Sequence, residues 1–345
     1  MEWIVSELSD VEAEDQGAGV ASADGKAKAE AAVEPEPAAV REPRVRKLNF
    51  VGRRNLFFAL SLLIIIPGIF SMWRNGFLLG IDFAGGTEFT VSFANHPSTA
   101  QIQSAVDGQN LNGSVIETSQ GGYIIRYPPL NAASQTSVEN DLRNRLGPMN
   151  VQQILEVGGT IAGETIEFSV IAVGLASAAI LALLAIRFRN VPGGWRAGFQ
   201  FGGSALLALL HDVFVLTGIF SILGKVFDLR IGEIDAFFVT AVLTVVGFSV
   251  HDTIVVFDRI RENLRVSQRL SFEQVVNLSI MQTAARSIIT SFTVVLVLGA
   301  IFISGGETLR GLSLALLIGI VSGTYSSIFN AAPLLVVWRR LQPLR

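Results

Sequence analysis

The sequence contains no cysteine, which excludes disulfides and thiolate metal sites and leaves the redox compartment unreadable. Charge is scarce as well. Only 16% of the 345 residues are Asp, Glu, Lys or Arg, against 50% hydrophobic, and the mean hydropathy is +0.50. That balance excludes a soluble domain of this size and points to a polytopic membrane protein. Missing too from residues 1–48 is an apolar core of signal-peptide length, so the first spanning helix is expected to do the targeting. The formal charge of −3 says little about partners, because acids and bases are segregated along the chain. No cofactor and no metal site is expected.

What is present falls into blocks. Residues 1–48 form an acidic tail, with ten Asp and Glu against two Lys before Arg41; a segment so poor in apolar surface is expected to be disordered. Six apolar runs follow, at 55–73, 166–187, 197–223, 236–257, 286–303 and 312–338. At about 1.5 Å per residue each can cross a bilayer core as a helix. Residues 258–285 read as a cytoplasmic amphipathic segment and 339–345 as a cytoplasmic C-terminus. Lys and Arg number 17 on one set of flanks and three in the opposite short loops, which predicts cytoplasmic termini and an exported interval at 74–164.

That interval has the pattern of a small α+β domain. Thr87–Phe93 alternates like a strand, Ser98 and Gln101 make a capping box, and Gly121-Gly122 separates two short β-rich runs. A second amphipathic helix over Ser134–Leu146 and a strand over Val151–Val157 complete β-α-β-β-α-β, the ferredoxin-like order.

Few ionisable side chains lie inside the apolar runs: His211 and Asp212 in the third, His251 and Asp252 in the fourth, and Arg286 at the mouth of the fifth. A carboxylate near the bilayer centre costs about 2.5–3.5 kcal/mol, which makes each a functional hypothesis. Helix rise puts Asp252 and Arg286 at one depth, where an acid facing a guanidinium can take up or release a proton. A static ion pair that fixes helix packing is the alternative. Asp212 suits either a proton path or a structural hydrogen bond, and His211 and His251 suit shuttling or helix-interface bonding. The stretch Gly80-Ile81-Asp82-Phe83-Ala84-Gly85-Gly86-Thr87 lacks the Gly-Lys-Ser/Thr ending of a phosphate loop and is expected to be a turn into a strand. Gly319, Gly323, Thr324, Ser326, Ser327 and Asn330 form a small, polar packing face on the last helix.

Several of these blocks resemble a known family. Gly80 to Glu88 with Asp82, Gly85 and Gly86, Val246 to Asn263, Asn277 to Ser287, Gly305 to Gly311 and Gly323 to Phe329 are similar to the signature blocks of the SecF family of protein-export membrane subunits. The resemblance spans roughly Arg54 to Trp338 and leaves out the acidic tail. It implies half of a transporter of the RND superfamily, with six helices and one periplasmic ferredoxin-like domain, completed to twelve helices by SecD. It further implies a bacterial inner-membrane location, association with the SecYEG channel, unfolded preproteins as substrate, protons as the energy source, and no nucleic acid or covalent catalysis. The family's membrane aspartate and arginine fall on Asp252 and Arg286. Phe248 and His251 depart from the family pattern. A self-contained RND-type exporter of small molecules or lipids is a different reading, and a single six-helix half argues against it.

Overall fold

A computed structural model describes residues 49–118, 121–266 and 269–343; the expected disordered tail lies outside them. After a single 3-10 turn, helix α1 runs over Arg54–Asn75. One helical turn, α2 (Ile81–Ala84), leads into strand β1 (Gly86–Phe93). Then come α3 (Thr99–Asp107), β2 (Ser114–Glu117), β3 (Tyr123–Tyr127), α4 (Ala132–Leu146) and β4 (Met149–Val157). The long helices are α5 (Gly159–Arg187), α6 (Gly194–Ser221), α7 (Ala236–Val266), α8 (Phe272–Ser304), α9 (Glu307–Ser326) and α10 (Ala332–Leu341).

Among the described residues six helical spans are long and apolar enough to cross a membrane, with α9 and α10 joined into the last. All six coincide with the predicted runs but are longer. The largest difference is at 258–285, which is no separate element: α7 continues to Val266 and α8 begins at Phe272. Charge ends an apolar run without ending a helix, since Arg and Glu are good helix formers. Here Arg261 and Arg259 pair with Asp258 and Glu262 one turn away, and Ser271 with Gln274 caps the start of α8.

The small domain is a four-stranded sheet in the order β2-β3-β1-β4, every neighbouring pair antiparallel. This is the ferredoxin-like arrangement expected. Its core collects Phe89, Val91, Ile102, Val106, Ile125 and Leu142 from both helices and the sheet face. The capping box at Ser98 and Gln101 is formed. Where a plain turn was expected before β1, α2 intervenes, and Gly85 and Gly86 then take φ of 70° and 132°. A Cβ on Gly86 would stand 2.5 Å from the Tyr127 carbonyl oxygen, so only glycine lets β1 enter the sheet there.

The second core belongs to the bundle, where α6, α7 and α9 bury Phe201, Leu209, Leu216, Val245, Val246 and Ala315 against one another. The last span changes pitch at a π-helical segment, Ser327–Ala331. Pro333, in the first turn of α10, has no N–H to give the Phe329 carbonyl, which is a physical cause for the wider turn just before it.

Candidate functional site

At the centre of the bundle α9 packs close to α7 because small residues face it. A Cβ on Gly319 would fall 2.1 Å from Val245 Cγ2, and one on Gly323 would fall 3.0 Å from Ser249 Cβ. The contact brings hydroxyls from two helices onto a carboxylate of a third. Asp212 of α6, 1% exposed, accepts hydrogen bonds from Ser249 Oγ of α7 at 2.7 Å, Ser322 Oγ of α9 at 2.7 Å and Ser326 Oγ of α9 at 2.6 Å. His211 Nδ1 lies 3.0 Å from its Oδ1. Each carboxylate oxygen thus has two partners. The polar layer extends through Thr253, whose Oγ1 is 3.0 Å from Ser327 Oγ, while both hydroxyls also reach the Ser249 carbonyl.

Asp252, one turn further along α7 from Ser249, is in a different situation. It is 7% exposed, and its Oδ2 is buried with no hydrogen-bond partner among the described residues. Ser287 of α8 faces it across the helix pair, its buried hydroxyl near enough to act on the carboxylate but not set in ordinary hydrogen-bond geometry with it. Arg286 does not meet Asp252. Its side chain is exposed, and it forms no ion pair or hydrogen bond with another described side chain. The reason is azimuth: the buried face of α8 runs through Ser279, Thr283, Ser287 and Ser291, and residue 286 is rotated about 100° from it.

The two histidines separate as well. His251 is exposed on α7, whereas His211 lines an apolar groove of about 470 Å³ with Leu60, Ile64 and Tyr325. His211 Nε2 is buried there without a partner. Gly80, Asp82, Gly85 and Gly86 lie at the other end of the fold, where Asp82 Oδ2 accepts the Ala236 N–H at 3.0 Å and caps α7. The sequence reading missed Ser249, Ser322 and Thr253 as members of the polar layer. Their signal was the four-residue spacing of Ser249 with Thr253 and of Ser322 with Ser326, which puts each pair on one helix face. Ser287 was also missed. Among the described residues no group of three or more His, Asp or Glu is placed to hold a metal ion.

Comparison with known proteins gives this geometry a context. Residues 137–341 match the family model described as protein export membrane protein SecD/SecF, C-terminal, and residues 70–95 match the SecD/SecF GG motif. The protein translocase subunit SecF of Thermobaculum terrenum is 45% identical over 311 residues, covering 86% of this chain and 96% of that one. The chain belongs to the SecF family of protein translocase subunits. The SecF of Anaerolinea thermophila is 39% identical over 296 residues, covering 84% of this chain and 94% of its own. In three dimensions the fold matches the crystal structure of SecDF, a translocon-associated membrane protein from Thermus thermophilus, with a TM-score of 0.75 and 30% identity. That match covers 86% of this chain and 39% of the SecDF chain, so this SecF-family chain corresponds to well under half of it. The GG motif coincides with Gly85-Gly86 and the strained entry into β1. The six spans and the family together make this a multi-pass membrane protein with a transport role.

Proposed function

We propose that the chain is the SecF half of a proton-driven SecDF unit. In the bacterial inner membrane it pairs with SecD, associates with the SecYEG channel and helps complete the translocation of unfolded preproteins on the outer side. Both termini face the cytoplasm in this reading, an orientation supported by the excess of Lys and Arg on the flanks opposite the four-stranded domain. The observation that carries the proposal is the buried Asp252 oxygen with no partner in a membrane helix. An unmatched acid there is costly as a packing element. Its cost is explained if it exchanges a proton during a cycle.

Arg286 supplies the second charge. It sits one residue, about 1.5 Å of rise, from the Ser287 that faces Asp252. A rotation of α8 by about one residue's angle brings the guanidinium toward the acid, and the unpaired arrangement is then one state of the cycle. Asp212, bonded by three serines and His211, anchors the helices between which the proton moves, and its imidazole neighbour opens toward the groove. His251, exposed on α7, faces whatever covers that helix, which in this reading is the SecD half. The test is Asp252→Asn in membrane vesicles carrying the reconstituted machinery with an imposed proton gradient. The variant should assemble with SecD yet lose the gradient-dependent completion of export. Normal export by that variant would overturn the proposal.

A further inference from the structure

The four-stranded domain is joined to the bundle at the start of α7, the helix that carries Asp252. Arg126 of β3 spans the junction, with Nε on Glu88 Oε2 of β1 at 2.6 Å and Nη2 on Glu233 Oε1 at 2.6 Å. Glu233 belongs to the segment that leads directly into α7. Arg230 adds looser contacts, 3.7 Å to Glu88 and 3.6 Å to Glu233. The bridge is well shielded: the side chains of Arg126, Glu88 and Glu233 are 18%, 11% and 9% exposed. Pairs so shielded are screened far less than surface ones.

Backbone contacts fix the same seam. Gly80 N–H donates to the Ile234 carbonyl at 2.8 Å, and Ile234 N–H donates to the Leu78 carbonyl at 2.8 Å, a short parallel bridge. The Asp82 cap on Ala236 N–H and the Asp235 bond to Phe238 N–H, at 2.8 Å, close the first turn of α7. Gly80 must be small here, since a Cβ would stand 2.9 Å from the Asp235 Cβ and 3.3 Å from its Cα as well as against the Glu233 carboxylate. The parallel bridge and the Asp82 cap therefore join the start of α7 to the segment that enters the domain, whereas the Arg126 fork and the looser Arg230–Glu88 pair reach the sheet itself, and of these two only the fork closes at hydrogen-bond distance.

We infer that Arg126 is a coupling residue, through which a displacement of α7 is passed to the four-stranded domain. This rests on the proposed role of Asp252, because proton exchange there is what would move α7. A helix whose lead-in segment is tied to the sheet through a two-carboxylate fork cannot shift or rotate without moving the sheet, bending that segment or breaking the fork. The absence of native cysteine makes the motion measurable. Spin labels on Ser137→Cys in α4 and Lys225→Cys at the domain end of the bundle, both exposed positions, report the separation by pulsed electron resonance in the chain complexed with its SecD partner.

The expected result has three parts. With Arg126 in place, Asp252→Asn shifts the distance distribution. In Arg126→Met the two distributions coincide, and gradient-dependent export falls to the level of Asp252→Asn although the complex assembles. Glu233→Gln, which leaves Arg126 its Glu88 partner inside the domain, gives the same result without touching the domain's own ion pair. The inference is overturned if Asp252→Asn still shifts the distribution in both variants, or if it never shifts it with Arg126 present. Normal export by Asp252→Asn would instead sink the underlying proton reading, so the two failures are distinguishable.

Discussion

Asp212 and Asp252 occupy neighbouring helices, each directly follows a histidine, and each is buried, yet their surroundings are opposite. The first has two partners on each oxygen, drawn from α6, α7 and α9. The second keeps one buried oxygen outside hydrogen-bond geometry, with the Ser287 hydroxyl as its near neighbour. A fully bonded polar group inside a membrane fixes helix positions, whereas an unmatched one adds little to stability and is retained for what it does. The contrast assigns the two acids to different jobs, one holding the bundle and the other working within it.

The sharpest way to break that contrast is to remove each acid in turn. Asp212→Ala removes three serine bonds, strands the Ser249 and Ser322 hydroxyls in a dry interior and leaves Ser326 only the Gly323 carbonyl; it should cost about 2–4 kcal/mol, taking roughly 0.6–1.5 kcal/mol for each lost bond. Asp252→Ala should cost less than about 1 kcal/mol or stabilise the fold outright, since it removes a buried acid whose unmatched oxygen is itself unfavourable. Reversible unfolding in bicelles measures both, and equal losses would erase the distinction. Next in size is Gly319→Ala, which forces α9 away from Val245 of α7. Overpacking of this kind costs about 1–3 kcal/mol, and the Ser322 bond to Asp212 should lengthen with it. Smaller still, Ser322→Ala or Ser326→Ala alone should each cost about 1 kcal/mol, while Ser287→Ala beside Asp252 should cost nothing measurable.

The smallest effect concerns a third carboxylate, outside the spans. Burial pushes the Asp235 carboxyl up to about 6, opposed by the Phe238 N–H and assisted by the charges of Glu233 and Asp82. Asp82 of α2, Glu88 of β1, Arg126 of β3 and the adjacent Arg230 and Glu233 make up the charged groups of that seam. Released from it, the acid returns to an ordinary value of about 4. The docked state therefore binds the extra proton, and its contribution is complete below about pH 4 and is lost as pH rises through about 6. The spin-label distances should broaden modestly between about pH 5 and pH 7, and Asp235→Asn should abolish that dependence. A response of the same size in the variant would place the titration elsewhere.

Much of the fold was legible because its signals are one-dimensional. Apolar runs such as Leu56–Trp73 and the alternation over Thr87–Phe93 encode spans and strands directly. Helix ends were less legible, since Arg259 to Arg265 end the apolar run while continuing α7. The acids of the site stood out by their cost in an apolar run. Their partners did not, because a serine in such a helix ordinarily bonds its own i−4 carbonyl, as Ser313 does to Leu309. Which hydroxyl turns outward to a neighbour is decided by how α6, α7 and α9 pack. Depth likewise predicted that Arg286 would meet Asp252, but depth fixes height and not direction, and Ser287 occupies the facing position.

Difference infrared spectroscopy of the SecD-paired chain in proteoliposomes, across an imposed pH step, addresses the division of labour most directly. A protonated-carboxyl band should appear on acidification, vanish in Asp252→Asn and persist in Asp212→Asn, which keeps the shape of the carboxyl group. A band that survives Asp252→Asn and disappears with Asp212→Asn would contradict it.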